Sequence, residues 1–268
     1  MKLIRNLLLL GAAIYFAALG YYTICQRDYI YFPQRHAVSL VNAESSSGME
    51  TLTVKTEDGL ELTGWYVPAR GSVDTIVFFH GTGDAVTNLE SFAQPFVDAG
   101  YGFLLAEYRG YGGMPGKPTE NGVYADARAF IGKLFDKGVE LNKIIVMGHS
   151  MGAAVALQVA REFHVAGLVM ISPFTSLPKL AAEYYPYFPT GLVVWDRFAN
   201  DYKMPKVQLP LLLVHGDQDK TVPLAQGLKL FSLANEPKTL HRLEEAGHND
   251  ILEPATPIIL DWLSALAP

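Results

Sequence analysis

The chain has 268 residues, 50% of them hydrophobic and 18% charged, with a formal net charge of -6. That length supports one sizeable core, and the acidic balance excludes the basic surface that nucleic acid requires. A lone cysteine, Cys25, excludes an internal disulfide, and no repeat or disordered block interrupts the globular composition.

From Leu7 to Ile24 no residue is charged, a run of roughly 18 residues and near the minimum for a membrane-spanning helix. Lys2 and Arg5 precede the run, and Tyr21 and Tyr22 lie near its far end, as interfacial aromatics do. These features predict a retained signal anchor over residues 1–28, with the membrane as partner and the remaining chain on the non-cytoplasmic side. A cleaved signal peptide, processed near Ala18 or Gly20, is the rival reading. A buried core helix would need a polar face, which this stretch lacks. The segment Tyr29-Ile30-Tyr31-Phe32-Pro33 either lies against the bilayer or packs on the domain. Residues 29–48 read as a linker, polar from Gln34 to Gly48.

A single domain is expected over 49–268. Thr51 to Thr56 alternates as a strand, Glu57-Asp58-Gly59 turns, and Glu61 to Val67 returns as its hairpin partner. Thr75 to Phe79 is a continuous apolar run, as expected of a strand buried on both faces, and it ends in His80-Gly81-Thr82-Gly83. A helix over Asn88 to Ala99, a strand over Gly102 to Ala106 and a helix over Asn121 to Lys137 follow. Next comes the stretch on which the chain turns. Strand formers Lys143 to Met147 enter Gly148-His149-Ser150-Met151-Gly152, which opens onto a helix reaching Phe163. Strand, Gly-x-Ser-x-Gly, then helix is the setting of a nucleophile elbow, with the serine hydroxyl at the positive end of a helix. Further strands are expected at Gly167 to Ile171, Leu211 to Val214 and Thr239 to Leu243, and helices at Leu224 to Ala234 and Pro257 to Leu266. This alternation predicts an α/β fold: a mostly parallel central sheet flanked by helices, with the first hairpin antiparallel at one edge.

A serine hydroxyl needs a base, and the base needs an orienting acid. His248 lies in the polar loop Glu244 to Asp250 and is the favoured base. His80 and His215 end strands, where hydrogen bonding to loop backbone is expected, and His149 should point away within the elbow. For the acid, Asp219 stands farther out than Asp217, which is expected to bond turn backbone. The order Ser150, Asp219, His248 fits this hydrolase arrangement, and no histidine or cysteine spacing suggests a metal. Backbone N–H groups of Thr82 and Met151 are the expected oxyanion hole.

These residues resemble the α/β-hydrolase superfamily from about residue 50 onward. The chain looks most like its branch of membrane-anchored Bem-type and protein-depalmitoylating serine hydrolases. The resemblance rests on His80 to Gly83, Tyr108-Arg109-Gly110-Tyr111-Gly112, Pro118-Thr119-Glu120, Gly148 to Gly152, Ser172 to Ser176, His215 to Asp219 and Gly247 to Asp250. It implies a cofactor-free esterase or thioesterase with Ser150, Asp219 and His248 as triad. One departure is Gly113-Met114-Pro115-Gly116, where relatives often carry Ser after the Arg-Gly-Tyr-Gly stretch.

An insertion over about 173–209 occupies the position of a short lid and is rich in aromatics. Tyr111, Tyr184, Tyr185, Phe188 and Trp195 are candidate substrate contacts, although the lid aromatics could instead form their own small core. The expected substrate is a small-molecule or lipid-like acyl ester or thioester. A serine peptidase of the same fold is the alternative, with Glu183 or Asp196 binding an amino terminus, and a non-catalytic tethered binding protein is a second.

Overall fold

The structure, a computed structural model, describes residues 1–32, 48–71 and 73–266. The expected polar connector lies outside these residues up to Gly48. Among the described residues an eight-stranded sheet runs in the order β1-β2-β4-β3-β5-β6-β7-β8. The strands are β1 (Glu50–Lys55), β2 (Glu61–Val67), β3 (Thr75–Phe79), β4 (Gly102–Ala106), β5 (Ile144–His149), β6 (Gly167–Ile171), β7 (Leu211–Gly216) and β8 (Lys238–Leu243). The β1–β2 hairpin is antiparallel, as is β2 to β4, and every pair from β4 across to β8 is parallel. Strands β3 to β7 are buried at every position, so their apolar runs need no alternation.

The connecting helices are α2 (Glu90–Asp98), α3 (Glu120–Asp136), α4 (Met151–Glu162), α8 (Leu224–Leu233) and α9 (Leu252–Leu266). The chain steps from β3 to β4 in one direction, and from β4 onward in the other. Right-handed crossovers therefore put α2 on one face and α3, α4 and α8 on the opposite one. The packing agrees, with α2 against α9 and α3 against α4. Thr119 starts α3 by accepting the Gly122 amide at 3.0 Å. Helix α9 begins five residues before the expected Pro257. Pro254 falls in its first turn, where a missing N–H has no intrahelical partner to lose.

Helix α1 (Lys2–Tyr31) is 30 residues long, with mean hydropathy 1.8 in its most apolar window, and it is long and apolar enough to cross a membrane. It runs past residue 28, where the anchor was expected to end. Its last turn docks on the domain: Tyr31 is fully buried, its ring 6.4 Å from that of Phe198. The lid contributes three short helices, α5 (Leu177–Tyr184), α6 (Thr190–Val193) and α7 (Asn200–Lys203).

The parallel register sets Phe79 beside Gly148, so the loops leaving β3 and β5 emerge side by side where the strand order reverses. Helix α4 can follow β5 so closely only because a Cβ is missing twice. One on Gly148 would collide with the Gly152 carbonyl, and one on Gly152 with that of Phe79. Gly152→Ala is therefore expected to cost at least about 3 kcal/mol in urea unfolding of the detergent-solubilised chain. A variant as stable as the wild type would contradict this packing.

Candidate active site

At the end of β5, Ser150 holds φ 55 and ψ -116, a left-handed backbone sustained by its surroundings. Its amide donates to the Ile171 carbonyl at 2.9 Å, and its hydroxyl does not cap α4. The hydroxyl is thus free to face His248, whose Nε2 lies 3.0 Å from Ser150 Oγ. On the other side of the ring, Nδ1–H donates to Asp219 Oδ2 at 2.7 Å. Oδ1 of Asp219 accepts the amides of Thr221 at 2.9 Å and Val222 at 2.7 Å. Burial alone would raise the Asp219 pKa. The nearby His215 ring, 3.5 Å away, with hydrogen bonds from His248 and the Val222 amide, outweighs it and holds the carboxyl well below the usual range. A carboxylate so held fixes the His248 proton on Nδ1 and leaves the Nε2 lone pair for the serine.

Asp217 stands apart from this chain of bonds. It forms a forked ion pair with Arg242 of β8, at 2.9 and 2.7 Å, instead of the expected bonds to turn backbone. His149 also departs from expectation. Its ring lies 4.8 Å from that of His248, and Nε2–H donates to the His248 carbonyl at 3.0 Å. Burial, then the neighbouring His248, lowers the His149 pKa to about 3, so it supports His248 as a neutral ring. His215 bonds loop backbone as expected, through Nε2–H to the Val222 carbonyl at 2.8 Å.

His80 does more than bond backbone. Nδ1–H donates to the Gly81 carbonyl at 2.8 Å and Nε2 faces Glu107 Oε1 at 2.7 Å, both side chains being buried. Burial disfavours the charged ring, but contact with the Glu107 carboxylate raises its pKa above the ordinary value. Glu107 also accepts the amides of Val86 and Tyr108, both at 3.1 Å. The pair thereby pins the Gly81-Thr82 loop. This role of Glu107 has no motif in the sequence. A carboxylate ending an apolar strand was the available signal. A Cβ on Gly81 would sit 3.3 Å from Ser150 Cβ, so the loop carrying Thr82 abuts the serine.

Thr82, Ser150 and Met151 line a cavity of about 310 Å³. Of the expected substrate contacts, Tyr184, Tyr185 and Phe188 line it too. Tyr111 does not: it is fully buried, its hydroxyl donates to the Tyr31 carbonyl, and its ring packs 5.3 Å from His80. Trp195 also lies outside the cavity. It is 53% exposed with the Arg27 guanidinium over its ring, because its neighbour Val194 takes the inward position. Sequence reasoning missed the wall given by α1, which includes Leu19, Tyr22, Thr23 and Gln26. Among the described residues, no group of three or more His, Cys, Asp or Glu is gathered as a metal site.

The depressed His149 pKa has a pH consequence. The ring is neutral in the fold but becomes cationic in the unfolded chain below about pH 6.5. Its contribution to stability is therefore full above that pH and is lost as pH falls toward 3. His149→Gln keeps an N–H without a titration, so its stability relative to the wild type should improve by about 2 kcal/mol between pH 7 and 5. A constant difference in urea unfolding would contradict a neutral buried ring.

Residues 71–204 match the family described as serine aminopeptidase, S33. An uncharacterized protein of Mycobacterium tuberculosis is 36% identical over 228 residues, 84% of this chain and 81% of its own. Human alpha/beta hydrolase domain-containing protein 17B is 27% identical over 218 residues, covering 78% and 73%. Among solved structures, the esterase Pf2001 of Pyrococcus furiosus superposes with a TM-score of 0.70 at 21% identity, over 88% of this chain and 97% of that one. The chain belongs to the α/β-hydrolase superfamily and, within it, to the family described as serine aminopeptidase, S33.

Proposed function

We propose that this hydrolase cleaves carboxylic ester or thioester bonds of apolar acyl substrates through an acyl-enzyme. The observation that carries the reading is the unbroken relay from Asp219 through His248 to Ser150, at 2.7 and 3.0 Å, opening into a cavity walled by apolar side chains. Ser150 Oγ attacks the carbonyl carbon as its proton passes to His248 Nε2, and Asp219 stabilises the imidazolium. The Thr82 and Met151 amides hold the oxyanion, each worth about 3 kcal/mol in the transition state. Collapse expels the alcohol or thiol, which takes the proton from His248. Water then attacks the acyl carbonyl, giving its proton to His248, and the acyl–Oγ bond breaks as His248 returns that proton to Ser150, releasing the carboxylic acid. The likeness to human alpha/beta hydrolase domain-containing protein 17B supports the depalmitoylating branch as the kin of this chain.

The family description favours a second reading, a peptidase that binds a free amino terminus. Against it, neither acidic side chain suited to that task lines the cavity. Glu183 accepts from Gln226, and Asp196 binds Arg27 at 2.8 Å and the Glu120 amide at 3.2 Å. Lys2 and Arg5 support an orientation with the N-terminus in the cytoplasm and the domain on the other side of a membrane.

Full-length protein in detergent should be labelled by a fluorophosphonate and should turn over p-nitrophenyl butyrate faster than aminoacyl p-nitroanilides. Ser150→Ala should abolish labelling, and Asp219→Asn should lower kcat about 10⁴-fold. Equal labelling of Ser150→Ala, or faster turnover of the anilides, would overturn the proposal.

A further inference from the structure

The inner face of α1 is not turned to lipid. Tyr15, Leu19, Thr23, Gln26 and Ile30 recur at helical spacing and are among the positions where this mostly exposed helix loses exposure. They meet the lid and the cavity. Gln26, only 7% exposed, donates to the Val193 carbonyl at 3.0 Å and accepts the Trp195 amide at 2.8 Å. The next residue, Arg27, clasps Asp196 at 2.8 and 3.3 Å. Higher up, the Tyr15 hydroxyl donates to the Tyr187 carbonyl at 2.8 Å, and its ring sits 5.8 Å from that of Phe188.

The Tyr15 contact sets the depth of the lid. Tyr15 lies nine residues before Ile24, about 14 Å inside the uncharged run at a helical rise of 1.5 Å per residue. If that run occupies the hydrocarbon layer, the lid tip is sunk beside it. The exposure of the tip fits: Tyr187 is 86% and Leu192 85% exposed. The cavity that begins at Ser150 reaches along α1 as far as Leu19, about one helical turn short of Tyr15.

We propose that α1 is a wall of the substrate site as well as an anchor. Leu19, Tyr22, Thr23 and Gln26 close, with the lid, the channel that takes the acyl chain of a lipid-phase substrate, and that chain enters sideways from the bilayer. The proposal rests on the hydrolase reading for the bond cleaved, and on the helix–lid geometry for the chain. A cavity of about 310 Å³ is at the lower end of the size used by small-molecule sites. A wall on its lipid side therefore has leverage over chain length.

The test compares kcat/KM for p-nitrophenyl hexadecanoate and butanoate in full-length Thr23→Trp, which fills the channel, and in Arg27→Ala, which frees the helix. Each should lower the hexadecanoate-to-butanoate ratio at least tenfold. Ile24→Trp, on the exposed opposite face, should keep the wild-type ratio. A Thr23→Trp protein that accepts the fluorophosphonate and keeps the wild-type ratio would overturn the proposal. A measurement independent of catalysis separates it from the hydrolase reading: in Ser150→Ala protein, hexadecanoate should bind at least tenfold more weakly once Thr23→Trp is added. Unchanged binding there would overturn the helix wall even if Ser150 is the nucleophile.

Discussion

Parallel strands buried on both faces can present chemistry only at their ends, and this constraint governs the molecule. Strands β3 to β7 carry no exposed position, so the polar groups of the site stand in the loops leaving their carboxyl ends. Parallel pairing then gathers those loops along one edge. Thr82 follows β3, Ser150 follows β5, Asp219 follows β7 and His248 follows β8. Residues 98 positions apart meet at 3.0 Å because four neighbouring strands share a direction.

Holding a buried carboxylate and imidazole at that edge demands that their hydrogen bonds be met by backbone fixed in place. Two Asp219 oxygens are answered by two amides and a ring. His149, kept neutral by burial, props the His248 carbonyl from below, while His80 and Glu107 fix the loop on the other side of the serine. The His80–Glu107 pair and the neutral ring are solutions to the same difficulty. Each supplies a directional bond where water is excluded, and neither touches the cavity itself.

The lid and the first helix belong to one construction. Arg27 and Gln26 tie α1 to the strand-like stretch 194–196, and Tyr31 carries the helix end into the core beside Phe198 and Tyr111. A tether of that kind would be superfluous if the helix served only to keep the domain near a membrane. The same contacts give a role to Gln26 and Arg27, which lie just past the apolar run.

The sequence by itself determined the strands and the elbow. Five apolar runs, a Gly-x-Ser-x-Gly turn and two polar loops are local patterns, and local patterns are set by burial on two faces and by backbone sterics. It also ordered Ser150, Asp219 and His248 along the chain, since chain order survives folding. Direction and depth were beyond it. Nothing in Gly110-Tyr111-Gly112 says that the tyrosine turns inward to the Tyr31 carbonyl, nor that Val194 faces the cavity while Trp195 faces out. The inward face of α1 was equally hidden, because an uncharged run has no polar side by which to orient it. Those choices depend on which distant surface arrives opposite each side chain, and only the tertiary structure brings those surfaces together.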